Sequence, residues 1–114
     1  MSKNTIACNG ELQRGDSLVS NNGNFKAVFQ EDNNFVIYGW SPIWSSNTYQ
    51  KGGNRLVMQE DCNLVMYKGT SNVCNAVWAS GSNRADHRTR VHARLQDDGT
   101  LVVKDNDTIM WRSK

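Results

Sequence analysis

The chain has little of what would mark several common protein classes. Its 114 residues include a single proline and three cysteines, and the formal net charge is only +2. A charge this small provides no strong attraction for nucleic acid or an acidic membrane. The apolar runs are far too short to span a bilayer. We therefore expect one domain over residues 1–114, with no nucleic-acid partner and no membrane insertion.

Metal-ligand patterns are missing as well. Cys8, Cys62 and Cys74 form no CxxC pair, and no Cys/His cluster has the spacing of a zinc site. An odd number of cysteines leaves at least one thiol free or bridged to another chain. We expect structural cysteines and no metal or cofactor.

The first residues, MSKNTIACNGELQRGDSL, contain no apolar segment of the secretory type. Three explanations stay open at this point. The chain is cytosolic, it has lost a leader, or it leaves the cell by another route.

Helical periodicity is nearly absent. Short alternating runs are instead bounded by clusters such as NNGN, KGGN, SGSN and DDGT, which are typical of turns. The pattern predicts an all-β fold of about ten to twelve short strands. Residues 11–29 are expected to supply two strands, with five apolar side chains in the core: Leu12, Leu18, Val19, Phe25 and Val28.

Three segments of the chain resemble one another, at residues 27–48, 55–83 and 93–114. Their shared motif recurs with a period of roughly 30 residues, which suits a small repeat architecture. Each segment is interpreted as strand, turn and strand, with one tryptophan in the second strand. One such unit cannot bury a face alone, so we expect three units around a pseudo-threefold axis. The tryptophans that would meet at its centre are Trp44, Trp78 and Trp111.

The repeated motif is written QEDNNFVIY at residues 30–38 and QEDCNLVMY at residues 59–67. Interpreted as strands, both copies place the same five side chains on one face, because successive residues of a strand point to opposite sides. The opposite face ends in apolar residues that should enter the core. The repeated outward sets are Gln30, Asp32, Asn34, Val36 and Tyr38, and Gln59, Asp61, Asn63, Val65 and Tyr67.

This outward face offers chemistry that suits a hexose. Glutamine, asparagine and tyrosine both donate and accept hydrogen bonds, an ionised aspartate accepts, and valine supplies a small apolar surface. A sugar ring has clustered hydroxyls on one side and C–H groups on the other. A duplicated structural strand without a ligand is the alternative interpretation, since repeats also copy inert residues.

The pattern Gln-x-Asp-x-Asn-x-Val-x-Tyr, with three copies and one tryptophan per copy, resembles the bulb-type, or monocot mannose-binding, lectins. The stretch SNNGNFKAVFQEDNNFVIYGW is also similar to the lily-type lectins of fish skin mucus. The resemblance covers about residues 12–111 and implies a type II β-prism of three antiparallel four-stranded sheets. It also implies calcium-independent binding of α-mannose, a homodimer, a role in defence or agglutination, and an extracellular location, with a cytoplasmic one as the alternative.

In that family the Asp and Asn of the motif hold O2 of the sugar, Gln holds O3, Tyr holds O4 and Val packs on the carbons. The resemblance thus implies two mannose sites in this chain, made of the two outward sets. The third copy departs from the motif, with threonine for asparagine and lysine for tyrosine. We expect it to be a weak or inactive site: Gln96, Asp98, Thr100, Val102 and Lys104.

Several other features are left open by the sequence. The family often bridges a motif cysteine to one before the next copy, but here the matching downstream place is near Val91, so a Cys62–Cys74 bridge or one from Cys8 stays possible. Trp40 could lie in a subunit interface or touch a second sugar, and we favour the interface. His87, His92 and the neighbouring arginines are interpreted as a solvated surface.

No nucleophile–base pair or carboxylate dyad is visible, so an enzyme is not expected. A prism that binds proteins instead of sugar is the alternative function.

Overall fold

A computed structural model of the chain describes residues 3–68, 76–84 and 90–113. These residues form twelve short strands, and none of the described residues lies in a helix. No helix long and apolar enough to cross a membrane is therefore found in this part of the chain. The strands are β1 (Thr5–Ala7), β2 (Glu11–Gln13), β3 (Ser17–Val19), β4 (Lys26–Phe29), β5 (Phe35–Tyr38), β6 (Pro42–Ser45), β7 (Arg55–Met58), β8 (Leu64–Tyr67), β9 (Ala76–Ala79), β10 (Val91–Leu95), β11 (Leu101–Asp105) and β12 (Thr108–Arg112).

The strands make three antiparallel four-stranded sheets, as predicted. The orders are β3-β4-β5-β6 in the first sheet, β2-β7-β8-β9 in the second and β1-β10-β11-β12 in the third. Each sheet thus combines three consecutive strands with one strand from the first 19 residues. The N-terminal segment therefore ties the three sheets together, and no repeat is completed by its own residues alone.

Alternation within the strands decides which side chains enter the core. Phe35 and Ile37 of β5, and Leu64 and Met66 of β8, are completely buried, which confirms the predicted inward face. The interior also holds a set of large side chains from the other strands, all less than 2% exposed: Ile6, Leu12, Leu18, Phe29, Leu56, Met58, Leu95 and Leu101.

Two predicted core residues were assigned to the wrong face. Val19 and Val28 are only half-buried, whereas Ala27 and Phe29 are completely buried. The inward-facing residues of β4 are thus Ala27 and Phe29 and not the predicted Val28. Val28 lies on the outer face of its sheet. Phe25 precedes the strand and packs, half-buried, against the core.

The three tryptophans of the repeats meet one another, as predicted. Each lies on the fourth, edge strand of its sheet and not on the second strand of a hairpin, as the repeat had suggested. Each ring is 5.8 Å from both of the others, centroid to centroid, in an edge-to-face arrangement. They stay half-buried because edge strands have no further strand to cover them, and they close the core: Trp44, Trp78 and Trp111.

Candidate functional site

The first half of the motif is a turn and not a strand. β4 ends at Phe29 and β5 begins at Phe35, so residues 30–34 connect them. The N–H of Gln30 donates to the Asn34 carbonyl (2.9 Å), and the N–H of Asn33 donates to the Gln30 carbonyl (3.0 Å). Asn33 has a φ of +76°, in the left-handed region. This is a type I turn followed by a left-handed residue, a common way to close a hairpin with a three-residue loop.

The same turn occurs in all three sheets. Its left-handed position is occupied by Asn33, by Cys62 (φ +73°) and by Gly99 (φ +85°). The two backbone hydrogen bonds recur at 3.0 and 3.2 Å in the second copy and at 2.9 and 3.0 Å in the third. The prediction of one continuous strand was therefore wrong for the Gln and Asp positions, because alternation in a turn can imitate alternation in a strand.

The aspartate of each motif is held by its own turn. Oδ1 of Asp32 accepts from the N–H of Asn34 at 3.0 Å, and Oδ1 of Asp61 accepts from the N–H of Asn63 at 3.0 Å. Such a bond, from an aspartate to the backbone two residues on, orients the carboxylate. The second carboxylate oxygen takes no part in this bond. Each aspartate therefore presents a positioned acceptor beside the strand that follows.

The asparagine of each of the first two motifs is oriented by the loop after the tryptophan strand. Oδ1 of Asn34 accepts from the N–H of Thr48 (3.1 Å) and from Oγ of Ser46 (3.3 Å). Oδ1 of Asn63 is held in the same way, by the N–H of Gly81 (3.0 Å) and Oγ of Ser80 (3.1 Å). Because these bonds occupy the amide oxygen, the amide nitrogen is the group left to donate to a ligand.

These serines are functional neighbours that the motif search missed. Their hydroxyl groups also accept from the backbone of the motif strand, from Phe35 to Ser46 (3.2 Å) and from Leu64 to Ser80 (3.0 Å). A signal was present in the sequence, since a serine stands two residues after the tryptophan of every repeat.

The glutamine and the tyrosine of each site are in side-chain contact. The side-chain amide of Gln30 contacts the hydroxyl of Tyr38, and that of Gln59 contacts the hydroxyl of Tyr67. With the Gln30 amide oxygen facing the tyrosine, its nitrogen lies 3.1 Å from Oδ1 of Asp32. Gln30 thus contacts two other side chains of the first motif, those of Asp32 and Tyr38.

The valines of the two sites are more deeply buried than they would be on a solvent-exposed strand. Val36 is 4% exposed and Val65 is 3% exposed, so the valines are a floor under the polar groups. In the first site Asp32 is exposed and Gln30, Asn34 and Tyr38 are half-buried.

The second site is more enclosed than the first. Tyr67 is 7% exposed and packs with Val57 and Val65, while the guanidinium of Arg55 lies 5.8 Å from the centre of the tyrosine ring. Gln59, Asp61 and Asn63 remain half-buried. Their polar groups therefore still form an accessible rim, although the tyrosine is largely covered.

The third copy keeps the turn but not the asparagine network. Oδ1 of Asp98 accepts from the N–H of Thr100 at 2.9 Å, and the N–H of Leu101 donates to Oγ of Ser113 at 3.0 Å. Thr100 and Val102 are buried, at 7% and 1% exposed. The remaining motif residues stand at the surface: Gln96 and Lys104 half-buried, and Asp98 exposed.

Cavities among the described residues also lie outside the first two sites. One, of about 350 Å³, borders the third copy between the turn and the N-terminal segment, and is lined by Asn4, Asn21, Arg94, Leu95, Gln96, Asp97 and Asp98. The other, of about 580 Å³, is lined by Gly23, Asn24, Phe25, Gly39, Trp40, Ser41 and Ile43. The Trp40 side chain is fully exposed, and whether it touches a partner subunit or a second sugar stays a prediction.

Two of the three cysteines lie among the described residues. Cys62 is completely buried in the core, as its inward motif position predicts, and Cys8 packs against the core at half burial. Burial and the neighbouring Glu60 carboxylate raise the pKa of the Cys8 thiol. Cys74 and His87 lie outside the described residues, so the bridge between Cys62 and Cys74 stays a prediction. In the described ranges no group of three or more His, Cys, Asp or Glu side chains could hold a metal ion.

Comparisons of the sequence and of the structure with known proteins point to the same family. No protein-family model matches the chain. It is 50% identical over 111 residues to the B-type lectin plumieribetin of Scorpaena plumieri, covering 96% of this chain and 94% of that protein. A monomeric monocot mannose-binding lectin from Gastrodia elata is 33% identical with a TM-score of 0.84, covering 97% and 96% of the two chains. The mannose-specific agglutinin of snowdrop (Galanthus nivalis), solved with methyl-α-D-mannoside, is 32% identical with a TM-score of 0.78 and 92% coverage of both.

All three relatives are lectins by name, and the two solved structures match the three-sheet fold described above. The likeness extends over nearly the whole chain in both sequence and structure. The chain belongs to the bulb-type lectin family.

Proposed function

We propose that the chain is a calcium-independent mannose-binding lectin with two sites, one on each of the first two sheets. The observation that carries the proposal is the repeated hydrogen-bond network around the motif. In both sheets the turn positions the aspartate, and a serine and a backbone N–H hold the asparagine oxygen. Snowdrop agglutinin, a related protein, was solved with methyl-α-D-mannoside.

The geometry supports recognition of neighbouring sugar hydroxyls. The free aspartate oxygen accepts from a hydroxyl, while the asparagine nitrogen donates to one. The glutamine and tyrosine, now bonded to each other, would exchange that contact for hydroxyls on the other edge of the ring. A polar group left unpaired costs about 1–3 kcal/mol, so an epimer with a misplaced hydroxyl should bind less well.

A substitution that preserves the turn tests these sites. Asp32→Asn together with Asp61→Asn keeps an oxygen that accepts from the turn N–H but replaces the charged acceptor that would face the sugar. Retention on immobilised mannose should be lost, while retention of the native protein should survive a chelator and end with free mannose. The matched control is Asp16→Asn, since Oδ2 of Asp16 accepts from the N–H of Gln13 (2.9 Å) in another turn. Full retention by the double variant would refute the assignment.

Weak sites gain strength when several engage one glycan surface. Two sites per chain, doubled in a homodimer, would raise the avidity for dense mannose-rich glycans through effective concentration. Such multivalency suits agglutination or defence outside the cell, and we include both in the proposal. Trp40 and Ile43, which are both exposed and both line the 580 Å³ cavity, are the residues proposed for the subunit interface. Multi-angle light scattering of Trp40→Ser should then show a monomer where the native protein is a dimer.

A further inference from the structure

The third sheet carries a cationic cluster at the place where the other two sheets carry their sites. In the first sheet the motif valine, Val36, is flanked on its neighbouring strands by Val28 and Ser45. In the third sheet the motif valine, Val102, is flanked by Arg94 on β10 and Arg112 on β12. Both arginines are exposed. Their strands are separated from β11 by about 4.8 Å on each side, so two long cationic side chains border a single buried valine.

At these positions the second sheet is similar to the first sheet and not to the third. Its motif valine, Val65, is flanked by Val57 and Ala79. Two sheets thus surround the valine with small or apolar side chains, and one surrounds it with guanidinium groups. The arginines of the third sheet occupy the same strand positions as the small or apolar residues of the other two sheets, so the difference does not lie in a loop.

The neighbouring row of the third sheet adds more positive charge. Lys104 occupies the place of Tyr38 and Tyr67, and it pairs with His92 on β10. Directly opposed groups of this kind repel when both are charged. Lysine can only donate, so a ligand group facing Lys104 must be an acceptor.

These basic side chains are not ion-paired within the described residues. Arg94, Lys104 and Arg112 make no ion pair within 4.0 Å in ranges 3–68, 76–84 and 90–113. The contrast is Arg55 in the second sheet, whose Nε lies 3.7 Å from Oε2 of Glu11 on the adjoining edge strand. The third sheet has Thr5 and Ala7 on its corresponding edge strand, so it offers no such partner.

We propose that the outer face of the third sheet binds an acidic saccharide, one that carries a sulfate or carboxylate group on the ring. The three basic side chains, Arg94, Lys104 and Arg112, receive the anionic group, and guanidinium forks suit its paired oxygens. Gln96 and Asp98, which the third copy retains, face hydroxyls of the same ring. The 350 Å³ cavity beside Arg94, Gln96 and Asp98 provides a recess of suitable size at this end of the face. The assignment is separate from mannose binding at the first two sites.

The surrounding charges favour a saccharide over nucleic acid or a membrane. Asp97 and Asp98 bound the cationic cluster at the turn and would repel the next phosphate of a polynucleotide or the next lipid headgroup. The formal net charge of the chain is only +2. One or two anionic groups per ligand therefore fit the face better than a continuous polyanion.

The experiment compares two triple variants with the same change in net charge. The site variant is Arg94→Gln/Lys104→Gln/Arg112→Gln, and the control is Arg14→Gln/Lys51→Gln/Lys68→Gln, three exposed residues away from the third sheet. Binding of a tetrasaccharide that carries a single sulfate group is measured by calorimetry at about 0.15 M salt, where non-specific attraction between exposed charges is largely screened. The site variant should lose at least about tenfold in affinity and the control less than about twofold, as expected for charge-assisted bonds at one place. Thermal unfolding confirms that both are folded, and Lys104→Arg should retain most of the binding.

Three outcomes would overturn the proposal. They are no binding of the tetrasaccharide by the native protein, equal losses in the two triple variants, and equally tight, equally Arg94-dependent binding of single-stranded DNA or phosphatidylserine vesicles. Methyl mannoside is titrated in parallel and should bind the site variant as it binds the native protein. If the native protein bound the tetrasaccharide but no mannoside, the mannose proposal would fail and this one would stand.

Discussion

The N–H of Thr48 donates to the side-chain oxygen of Asn34 across 3.1 Å, and this bond joins the loop after β6 to the motif on β5. The asparagine is thereby held by a segment of the chain that lies outside its own turn. Its donor nitrogen is oriented before any ligand arrives. Binding a sugar then requires little ordering of this side chain, which reduces the entropic cost of recognition.

Removal of the supporting serines should weaken mannose binding without touching the motif. Ser46→Ala and Ser80→Ala each delete a hydroxyl that orients the asparagine and accepts from the backbone of the motif strand. We expect about a three- to tenfold loss at the affected site and about 1 kcal/mol of destabilisation. Calorimetry with methyl mannoside measures the first and thermal unfolding the second. Ser113→Ala is the control, because it removes the matching backbone bond in the third sheet. An equal loss of mannose affinity in this control would contradict the expectation.

Restoring the motif in the third copy should add a neutral-sugar site. Thr100→Asn supplies the missing amide and Lys104→Tyr the missing hydroxyl, on a turn that already has the geometry of the other two. The stoichiometry of mannoside binding, measured by calorimetry, should rise from two towards three per chain, and affinity for the acidic saccharide should fall. Thr100→Asn alone serves as the control, since it leaves the lysine in place. Unchanged stoichiometry in the double variant would show that the flanking arginines, and not the motif, exclude the sugar.

The tryptophan triangle should be a main contributor to stability. Trp78 contacts Trp44 and Trp111 edge to face, and such pairs contribute about 0.5–1.5 kcal/mol each beyond buried area. Trp78→Ala should therefore lower the free energy of unfolding by about 3–5 kcal/mol, measured in denaturant. Tyr49→Ala is the matched control, because this aromatic side chain is 57% exposed and its loss should cost less than about 0.5 kcal/mol. Similar costs for the two variants would contradict the packing described here.

Two glycines with positive φ should respond differently to alanine. A Cβ at Gly99 (φ +85°) would stand 2.7 Å from Cε1 of Phe25 and 3.0 Å from Cδ1 of Ile43. One at Gly23 (φ +76°) would meet nothing within 4 Å. Gly23→Ala thus reports backbone strain alone, about 1 kcal/mol, while Gly99→Ala adds a clash and should cost about 2–4 kcal/mol. Comparison of the two midpoints in thermal unfolding isolates the clash. Equal midpoints would show that the Phe25 ring moves aside without cost.

Much of the architecture could be predicted from local pattern. The repeated alternation of Phe35 with Ile37, and of Leu64 with Met66, identified the buried face correctly, because neighbouring residues of a strand point to opposite sides whatever the rest of the chain does. The same rule failed at Gln30 and Asp32, which lie in a turn. Asp and Asn have turn chemistry of their own there, and a period of two cannot distinguish a five-residue turn from a strand.

The sequence alone contained the repeated motif, the threefold plan and the degenerate third copy, because each depends on residues that are near one another along the chain. Contacts between distant residues arose only from the tertiary fold. The N–H of Thr48 reaches Asn34 only because particular strands are paired. In the same way, Arg94 and Arg112 flank Val102 only in the register that the third sheet adopts. Strand pairing joins residues far apart in sequence, so the cationic face of the third sheet exists only after the chain has folded.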